Sequence, residues 1–323
     1  MSLLRVENLK TYYYTPLGVV RAVDGVSFEM EKGEILGVVG EIGAGKTTLG
    51  RSILRIVPEP GKIVDGRILF EGKDLLKLSE SEMSRLRGRY ISIIPETPIL
   101  SLNPPFTIES QIKEVLKKHL GYSDEEARRE TLHLLEQVVI PDREAILKSY
   151  PHELSGGMCQ RVLIAIAFAC RPSLVIADEP TTSVDVITQA QIVSLIRSMQ
   201  REYGSSLIFI THDVGFASKL CRRMFIMYAG RILEMAPVEK LLTSPKHPYT
   251  KALIKVAYSM RSTKPTKGYL YTIKGSPPSP TQPPKGCIFE PRCEEKMEEC
   301  SKIDSIPLFE VEKEHFVSCL LYR

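Results

Sequence analysis

The order of apolar and polar residues changes near Gly33. Before it, "LLRVENLKTYYY" and "GVVRAVDGVSFEM" alternate apolar and polar positions, which predicts short antiparallel strands over residues 1–33. After it, "EILGVVG", "SLVIAD" and "SLIFITHD" are brief runs that are largely apolar, with helical spacing between them. Strands that alternate with helices usually form a parallel sheet with helices on its faces. The pattern therefore predicts an α/β fold in which antiparallel strands precede a parallel sheet.

Two later stretches depart from this alternation. From about 98 to 154 the strand pattern disappears, and "TIESQIKEVLKKHLGY" and "SDEEARRETLHLLEQVV" have amphipathic helical spacing, the second with Ser123 as its N-cap. After Ala257 the chain is rich in Pro, Ser, Gly and Lys, which is typical of an extended linker, and a cysteine-rich segment closes it. We therefore predict a main domain over 1–257, with a helical subdomain at about 98–154, and a C-terminal extension over 258–323.

Composition narrows the class of protein. The 323 residues are 43% hydrophobic and 25% charged, as in ordinary globular proteins. Their longest apolar runs fall short of the roughly 20 residues that span a membrane. The start "MSLLRVENLK" lacks the pattern of a signal peptide, so a cytoplasmic protein is expected. A net charge of +4 without a run of Lys or Arg argues against nucleic-acid binding.

The stretch "GEIGAGKTT" follows an apolar strand and opens a helix, and it fits the phosphate-loop pattern G-x-x-x-x-G-K-[ST]. In such a loop backbone N–H groups and the helix N-terminus converge on phosphate oxygens. Lys46 would add a charge for the β and γ phosphates, and the Thr47 hydroxyl would bind Mg2+. The alternative is a glycine-rich turn with an incidental lysine. The predicted nucleotide-binding residues are Gly40, Glu41, Ile42, Gly43, Ala44, Gly45, Lys46, Thr47 and Thr48.

The apolar run "SLVIADEP" ends in two carboxylates, Asp178 and Glu179. With a phosphate loop on the same chain, Asp178 is expected to hold Mg2+ or its water. Glu179 is expected to polarise the attacking water, because phosphoryl transfer depends mainly on positioning and electrostatics. Two acids at the end of a strand can also be a solvated cap. The sequence thus predicts a site that hydrolyses a nucleotide with the help of Mg2+.

The stretch "LSGGMCQRVLIAIAFACRPSLVIADEPTTSVD" links a Ser-Gly-Gly helix start to the acidic strand, and "THD" follows it. Together with the phosphate loop, it resembles the ATP-binding-cassette (ABC) family over about residues 3–250. The resemblance implies an α/β P-loop NTPase of ABC type, with a mixed sheet core, an antiparallel β subdomain and a helical subdomain, here followed by a small cysteine-rich C-terminal module. It also implies that two such subunits hold ATP head to tail, so that each site is completed by the signature segment of the other.

The resemblance also implies roles for residues beyond the phosphate loop. Ser155, Gly156 and Gly157 match the signature, which would contact the γ-phosphate bound on the other subunit. Asp185 matches the loop that crosses the dimer interface, and His212 matches the switch histidine that contacts the γ-phosphate.

Two positions match the family pattern less directly: at one, three adjacent tyrosines are candidates, and at the other the residue type differs from that of the family. Tyr13 in "TYYYTP" matches the aromatic residue that stacks on adenine; the alternatives are Tyr12, Tyr14 or a role in strand packing alone. Where the family has a glutamine that joins Mg2+ and water, this chain has Glu96. A carboxylate can accept a hydrogen bond or bind Mg2+, but it cannot donate as an amide does, and it adds negative charge.

Three stretches, "SLNP", "HPYTKALI" and "IKGSPPSPTQPPKGCIFEPRC", resemble ATP-binding subunits of oligopeptide and dipeptide transporters. The resemblance implies an ATPase that powers peptide import from the cytoplasmic face of the cell membrane. Its expected partners are a second homologous ATPase, two membrane permease subunits and an extracellular substrate-binding protein. An oligosaccharide importer, a soluble cassette ATPase that acts on ribosomes or DNA, and a redox-sensing ATPase are the alternatives.

Four of the seven cysteines lie in the C-terminal extension. Four thiolates suit an iron–sulfur cluster or structural zinc, and the short C-x2-C pairs of zinc sites are missing here. In the peptide-transporter branch such a tail resembles the ligand set of a 4Fe-4S cluster, which would pin a loop-rich segment. Disulfides or unbonded thiols are further alternatives. The expected ligands are Cys287, Cys293, Cys300 and Cys319.

Overall fold

A computed structural model describes residues 2–182, 184–261 and 271–323. Its strands are β1 Ser2–Thr15, β2 Gly18–Glu31, β3 Ile35–Val39, β4 Gly61–Phe70, β5 Lys73–Asp74, β6 Ile91–Ile94, β7 Leu174–Asp178, β8 Ser206–Thr211, β9 Arg223–Tyr228, β10 Arg231–Pro237, β11 Phe309–Glu312 and β12 His315–Val317. Its helices are α1 Lys46–Ile53, α2 Glu80–Leu86, α3 Pro98–Ser101, α4 Ile108–Leu120, α5 Asp124–Gln137, α6 Arg143–Lys148, α7 Gly156–Phe168, α8 Val186–Tyr203, α9 Val214–Leu220, α10 Val238–Thr243 and α11 Pro248–Arg261.

The chain folds into two compact units, each built from separate segments. The first contains the chain up to Met30, Ile35–Leu76 and everything from Thr211 onward; the second contains Glu31–Glu34 and Lys77–Ile210. The C-terminal extension therefore lies in the first unit together with the phosphate loop. The boundary near residue 257, drawn from composition, stays a prediction.

One sheet of the first unit comes from the alternating N-terminal sequence. β1 lies between β2 and β4, pairs antiparallel with β4, and places Leu4 opposite Phe70. Inward residues of β1, including Leu4 and Leu9, are fully buried. The antiparallel prediction is confirmed, but the strands are not short, since β1 and β2 each run for 14 residues.

The other strands of the first unit form a mixed arrangement. β3 pairs parallel with β9, and β9 pairs antiparallel with β10. The tail strand β12 pairs with β10, with Glu234 opposite Val317, and β11 pairs with β12. The C-terminal extension therefore adds two strands to the sheet at β10.

The linker predicted after Ala257 is described only in part. Helix α11 continues to Arg261, and residues 262–270 lie outside the described part of the chain. From residue 271 to 289 the chain forms turns and extended segments, and the cysteine-bearing stretch contains short 3-10 turns at Glu290–Arg292 and Glu298–Ser301.

The second unit has a parallel arrangement of β6, β7 and β8. Ile94 pairs with Ala177, and Asp178 pairs with Ile210. Every residue of β7 and β8 is buried. Continuous apolar runs are typical of parallel strands covered on both faces, which is how the sequence predicted them.

Helices α3 to α6 occupy the stretch predicted to be helical. Ser123 caps α5 by accepting the N–H of Glu126, whose side chain reaches back to the N–H of Ser123, a capping box. Helix α4 begins after Thr107 and ends at Gly121, which adopts the left-handed conformation that glycine favours. Helix α7, which follows the predicted 98–154 segment, packs against α3, α4 and α5.

A fully buried carboxylate joins three parts of the first unit. Glu234 of β10 accepts hydrogen bonds from the backbone N–H groups of Lys246 and His247, at 2.7 and 2.8 Å. Its Oε1 also lies 2.7 Å from Nε2 of His315 in β12, and both side chains are completely inaccessible. Because the carboxylate accepts, Nε2 carries the proton in this bond. Glu234 thus ties the turn before α11 and the C-terminal tail to the sheet.

Replacing this carboxylate is expected to destabilise the protein strongly. Glu234→Ala leaves two backbone N–H groups and a buried imidazole without their acceptor. Losing one partner of a buried charged network costs about 3–5 kcal/mol. The midpoint of urea unfolding measures the loss. Glu312→Ala is the matched control, because Glu312 is 45% exposed and bonds lysines in the same region. Equal midpoints for the two variants would contradict the role of Glu234.

Candidate functional site

The phosphate loop connects β3 to α1 and lies against the neighbouring backbone. A Cβ added to Gly40 would stand 2.0 Å from the carbonyl oxygen of Met227. At Gly45 the φ angle is +96° and an added Cβ would lie 1.9 Å from the carbonyl oxygen of Ala22. Both positions therefore require glycine, and the loop follows the backbone of β2 and β9 closely.

The side chain of Lys46 is hydrogen-bonded to the backbone of this loop. Its side chain is 5% exposed, and Nζ donates to the carbonyl oxygens of Gly40 at 2.9 Å and Glu41 at 3.1 Å. Helix α1 begins at Lys46, and Gly45 at its N-cap offers no side-chain acceptor. A helix start of this kind presents N–H groups and partial positive charge to an anion. The loop and α1 thus form a cradle whose chemistry suits phosphate.

The three adjacent tyrosines of β1 have different surroundings. The Tyr13 hydroxyl lies 3.4 Å from Oγ1 of Thr48 on α1. Tyr12 donates to Asp24 at 2.6 Å, and burial together with this bond raises the pKa of Tyr12 to about 12. Tyr14 is 48% exposed. Tyr13 is thus placed beside the helix that follows the phosphate loop.

In the second unit, Asp178 and Glu179 stand at the end of β7, as the sequence predicts. They are 2% and 7% exposed. Glu179 has a φ angle of +47°, which is uncommon for a residue with a side chain, and its N–H donates to the carbonyl oxygen of Ile210 at 3.0 Å. Strained backbone of this kind is typical of functional positions.

Glu96 follows the neighbouring strand β6. Strands β6 and β7 are parallel and pair Ile94 with Ala177. Glu96 therefore follows the carboxyl end of β6 on the side of the sheet where β7 ends at Asp178. Its side chain is half-buried. The second unit therefore gathers the three predicted acidic residues at one end of its strands.

The signature segment and the predicted interface loop also meet within the second unit. Ser155 caps α7 by accepting the N–H of Met158 at 3.3 Å. A Cβ on Gly157 would stand 3.3 Å from Cγ2 of Thr188. Asp185 caps α8 and accepts the Thr188 hydroxyl at 2.6 Å, which lowers the pKa of Asp185. Thr188 thus connects the two segments; Gly156 has open space around its Cα.

His212 lies in the first unit, directly after β8, and is exposed. The next residue, Asp213, caps α9 by accepting the N–H groups of Gly215 and Phe216. The helix cap fixes the backbone next to His212 and presents the imidazole at the surface of this unit.

The tail cysteines lie near one another as free thiols. Cys287, Cys300 and Cys319 are buried, and Cys293 is half-buried. Burial raises the pKa of Cys287 to about 12, and the charges of the other three thiols add to the shift. Among the described residues, no three His, Cys, Asp or Glu side chains are arranged to hold a metal ion.

Two contacts of the phosphate loop were not predicted from the sequence. The Glu41 N–H donates to the hydroxyl of Tyr249 at 3.0 Å, and the Glu41 carboxylate accepts from Arg292 at 2.8 Å. Both partners stand in stretches that the sequence marked, "HPYTKALI" and "CIFEPRC", although the motifs gave no sign of this contact.

The fold and the site define a P-loop ATPase of the ATP-binding-cassette type. Residues 23–182 match the ABC transporter family, and residues 233–300 match the family described as oligopeptide/dipeptide transporter, C-terminal region. None of the described helices is both long enough and apolar enough to cross a membrane.

Known proteins resemble the chain over nearly its whole length. The oligopeptide transport ATP-binding protein AppD of Bacillus subtilis is 44% identical over 93% of this chain and 90% of its own length. OppD of Escherichia coli, also named an oligopeptide transport ATP-binding protein, is 40% identical over 95% and 90%. The chain therefore belongs to the ABC transporter family, in the branch of oligopeptide and dipeptide transport ATP-binding proteins.

Solved structures share the fold of the cassette. The dimeric cassette MJ0796 with ADP and Pi has a TM-score of 0.66 at 24% identity, covering 73% of this chain and 98% of that one. The structure of cbiO1 from Clostridium perfringens has a TM-score of 0.64 at 27% identity, covering 75% and 91%. The P-loop fold of ABC type with a mixed sheet is thereby confirmed.

Substitutions in the tyrosine triplet test the prediction that Tyr13 stacks on adenine. Tyr13→Ala is expected to weaken ATP binding by about tenfold, because stacking of a base on an aromatic ring contributes about 1–3 kcal/mol. Tyr13→Phe keeps the ring and should keep the affinity. Tyr14→Ala serves as the control, and titration with a fluorescent ATP analogue gives the dissociation constants. A larger loss for Tyr14→Ala than for Tyr13→Ala would contradict the assignment.

Proposed function

We propose that this chain is the ATP-hydrolysing subunit of an ABC importer for oligopeptides or dipeptides. The observation that carries the proposal is the order of the two family matches, a cassette over 23–182 and the transporter-specific region over 233–300. Relatives similar over almost the whole chain bear names for oligopeptide or dipeptide transport. The alternatives of oligosaccharide import and of a soluble cassette ATPase receive no such support.

Each predicted site residue has a role in this proposal. The phosphate loop holds the phosphates of ATP, and Lys46 supplies positive charge to them. Thr47 and Asp178 hold Mg2+, and Glu96 binds the metal or its water. Glu179 polarises the attacking water. The burial of Asp178 and Glu179 supports these roles, since charges act more strongly where water is excluded.

The second half of each ATP site comes from another subunit in this proposal. Ser155, Gly156 and Gly157, at the start of α7, present a helix N-terminus to the γ-phosphate on a second, homologous ATPase. Asp185 lies at the interface between the two, and His212 contacts the γ-phosphate. The exposure of Ser155 and His212 in this chain supports roles that require access by another molecule.

The remaining partners follow from import across a membrane. Two membrane permease subunits receive the movement of the cassettes through the helical subdomain, and an extracellular binding protein delivers the peptide. The ATPase lies at the cytoplasmic face of the cell membrane as a peripheral subunit.

We also propose that the tail thiols hold a 4Fe-4S cluster, with zinc as the alternative. Sγ atoms of Cys287, Cys293 and Cys319 accept backbone N–H bonds from Phe289, Glu295 and Leu321, two residues further on in each case. Such bonds favour the thiolate and are a feature of cluster sites. The donor chemistry fits the cluster, but the described thiols must move together to bind it. Its role here is to stabilise the tail.

Glu179→Gln tests the hydrolytic role. In a complex whose partner ATP site is disabled, turnover should fall by at least about a hundredfold, because the amide cannot act as a base, whereas ATP binding should remain. Steady-state phosphate release and nucleotide titration measure the two effects. Glu125→Gln is the control, because Glu125 is an exposed residue of α5. Peptide uptake into vesicles carrying the whole importer should stop with turnover. Undiminished hydrolysis would refute the role, and uptake of glycans without peptides would refute the substrate class.

Metal analysis tests the tail. Protein purified without oxygen should contain about four irons and four sulfides per chain, with broad absorption in the visible range. Cys300→Ser should reduce the iron content, whereas Cys170→Ser should not, because Cys170 is a buried thiol of the second unit. A content of one zinc per chain and no sulfide would contradict the cluster and indicate a zinc site instead.

A further inference from the structure

Arg292, beside Cys293 in the tail, forms a forked ion pair with the phosphate loop. Its Nη1 donates to Oε2 of Glu41 at 2.8 Å, and its Nη2 donates to Oε1 at 3.2 Å. The Arg292 side chain is 5% exposed and that of Glu41 is 24% exposed. A paired guanidinium and carboxylate is the strong, directional form of an ion pair. The contact joins residues 251 positions apart in the sequence.

The guanidinium is itself held from several sides. Nη1 also donates to the Tyr228 hydroxyl at 3.1 Å, and Nε donates to the carbonyl oxygen of Lys274 at 3.0 Å. Nη2 lies 3.4 Å from the carbonyl oxygen of Ile273. Arg292 is thus fixed between β9 and the segment before the cysteines, so it can hold a loop residue in one place.

The main chain of Glu41 is hydrogen-bonded as well. Its N–H donates to the hydroxyl of fully buried Tyr249 at 3.0 Å, and its carbonyl oxygen accepts from Nζ of Lys46 at 3.1 Å. The Tyr249 ring packs against the rings of Tyr228 and Phe289, with centroids 4.7 and 5.3 Å away. The carboxylate, the N–H and the carbonyl of Glu41 are therefore all engaged.

The negative charge of Glu41 links the ion pair with Arg292 to the binding of ATP. The loop pattern G-x-x-x-x-G-K-[ST] leaves this position open, and a carboxylate there opposes a bound polyphosphate by like-charge repulsion. A bidentate arginine cancels this charge and keeps the carboxylate turned toward the tail. We propose that Arg292 is a positioning residue for ATP binding, which acts by neutralising and fixing Glu41 in the phosphate loop. This inference rests on the proposed role of that loop.

The test compares ATP affinity across a set of full-length variants. Arg292→Gln should raise the dissociation constant for ATP about tenfold, the size expected for losing a charged hydrogen-bonded pair. Arg292→Lys should lose less, because the charge stays and the fork is lost. Glu41→Gln should also lose less than Arg292→Gln. The double variant Glu41→Gln/Arg292→Gln should recover most of the lost affinity, because no uncompensated carboxylate remains.

Two control variants separate the role of Arg292 from the proposed ATP binding by the phosphate loop. Lys296→Gln removes an exposed ion pair with Glu290 in the same tail and should leave the affinity unchanged. Lys46→Ala should abolish binding; if it does not, the proposed phosphate loop itself is refuted. If Lys46→Ala abolishes binding and Arg292→Gln keeps wild-type affinity, only the role of Arg292 is overturned.

A structural role for Arg292 gives a different pattern. It predicts that affinity falls together with the unfolding midpoint and that Glu41→Gln brings no recovery. In the assembled importer, the positioning role predicts a higher KM for ATP with kcat nearly unchanged. A fall in kcat at constant KM, or the absence of recovery in the double variant, would overturn it.

Discussion

The buried carboxylate of Glu234 is the contact on which the first unit depends. A charge this deep is tolerated only when its oxygens are fully hydrogen-bonded, and two backbone N–H groups and an imidazole meet that need. The bonds fix the turn before α11, and that turn sets Tyr249 beneath the phosphate loop. One buried acid thereby links the end of the chain, through β12, to the position of Glu41.

The tail is consequently part of the nucleotide-binding unit. β12 extends the strands of the cassette at β10, and Arg292 brings the cysteine-bearing segment onto the loop. A segment so short and rich in turns has little core of its own. It is stabilised by its pairing with the sheet and by packing against the aromatic rings of Tyr228 and Tyr249. The tail and the phosphate loop are therefore held by the same group of contacts.

The sequence predicted those parts whose signals are local. Apolar runs located β7 and β8, glycine spacing located the phosphate loop, and the Ser123 cap located the start of α5. The pairing of β12 with β10 and the bond from Arg292 to Glu41 were missed because each joins distant residues and leaves no periodic pattern. The three tyrosines could not be told apart by spacing; the structure distinguishes them by their neighbours.

Glu179 shows why adjacent residues of one type can serve different ends. Asp178 still belongs to β7 and pairs with Ile210, so its direction is set by the pleat of the strand. At Glu179 the backbone turns to a φ angle of +47°, a strain worth about 1–3 kcal/mol, and a bond from its N–H to Ile210 holds the turn. The strand therefore ends at Asp178, and the regular alternation of β7 does not continue to Glu179. Two consecutive acids thus differ in backbone conformation, which the residue types alone do not reveal.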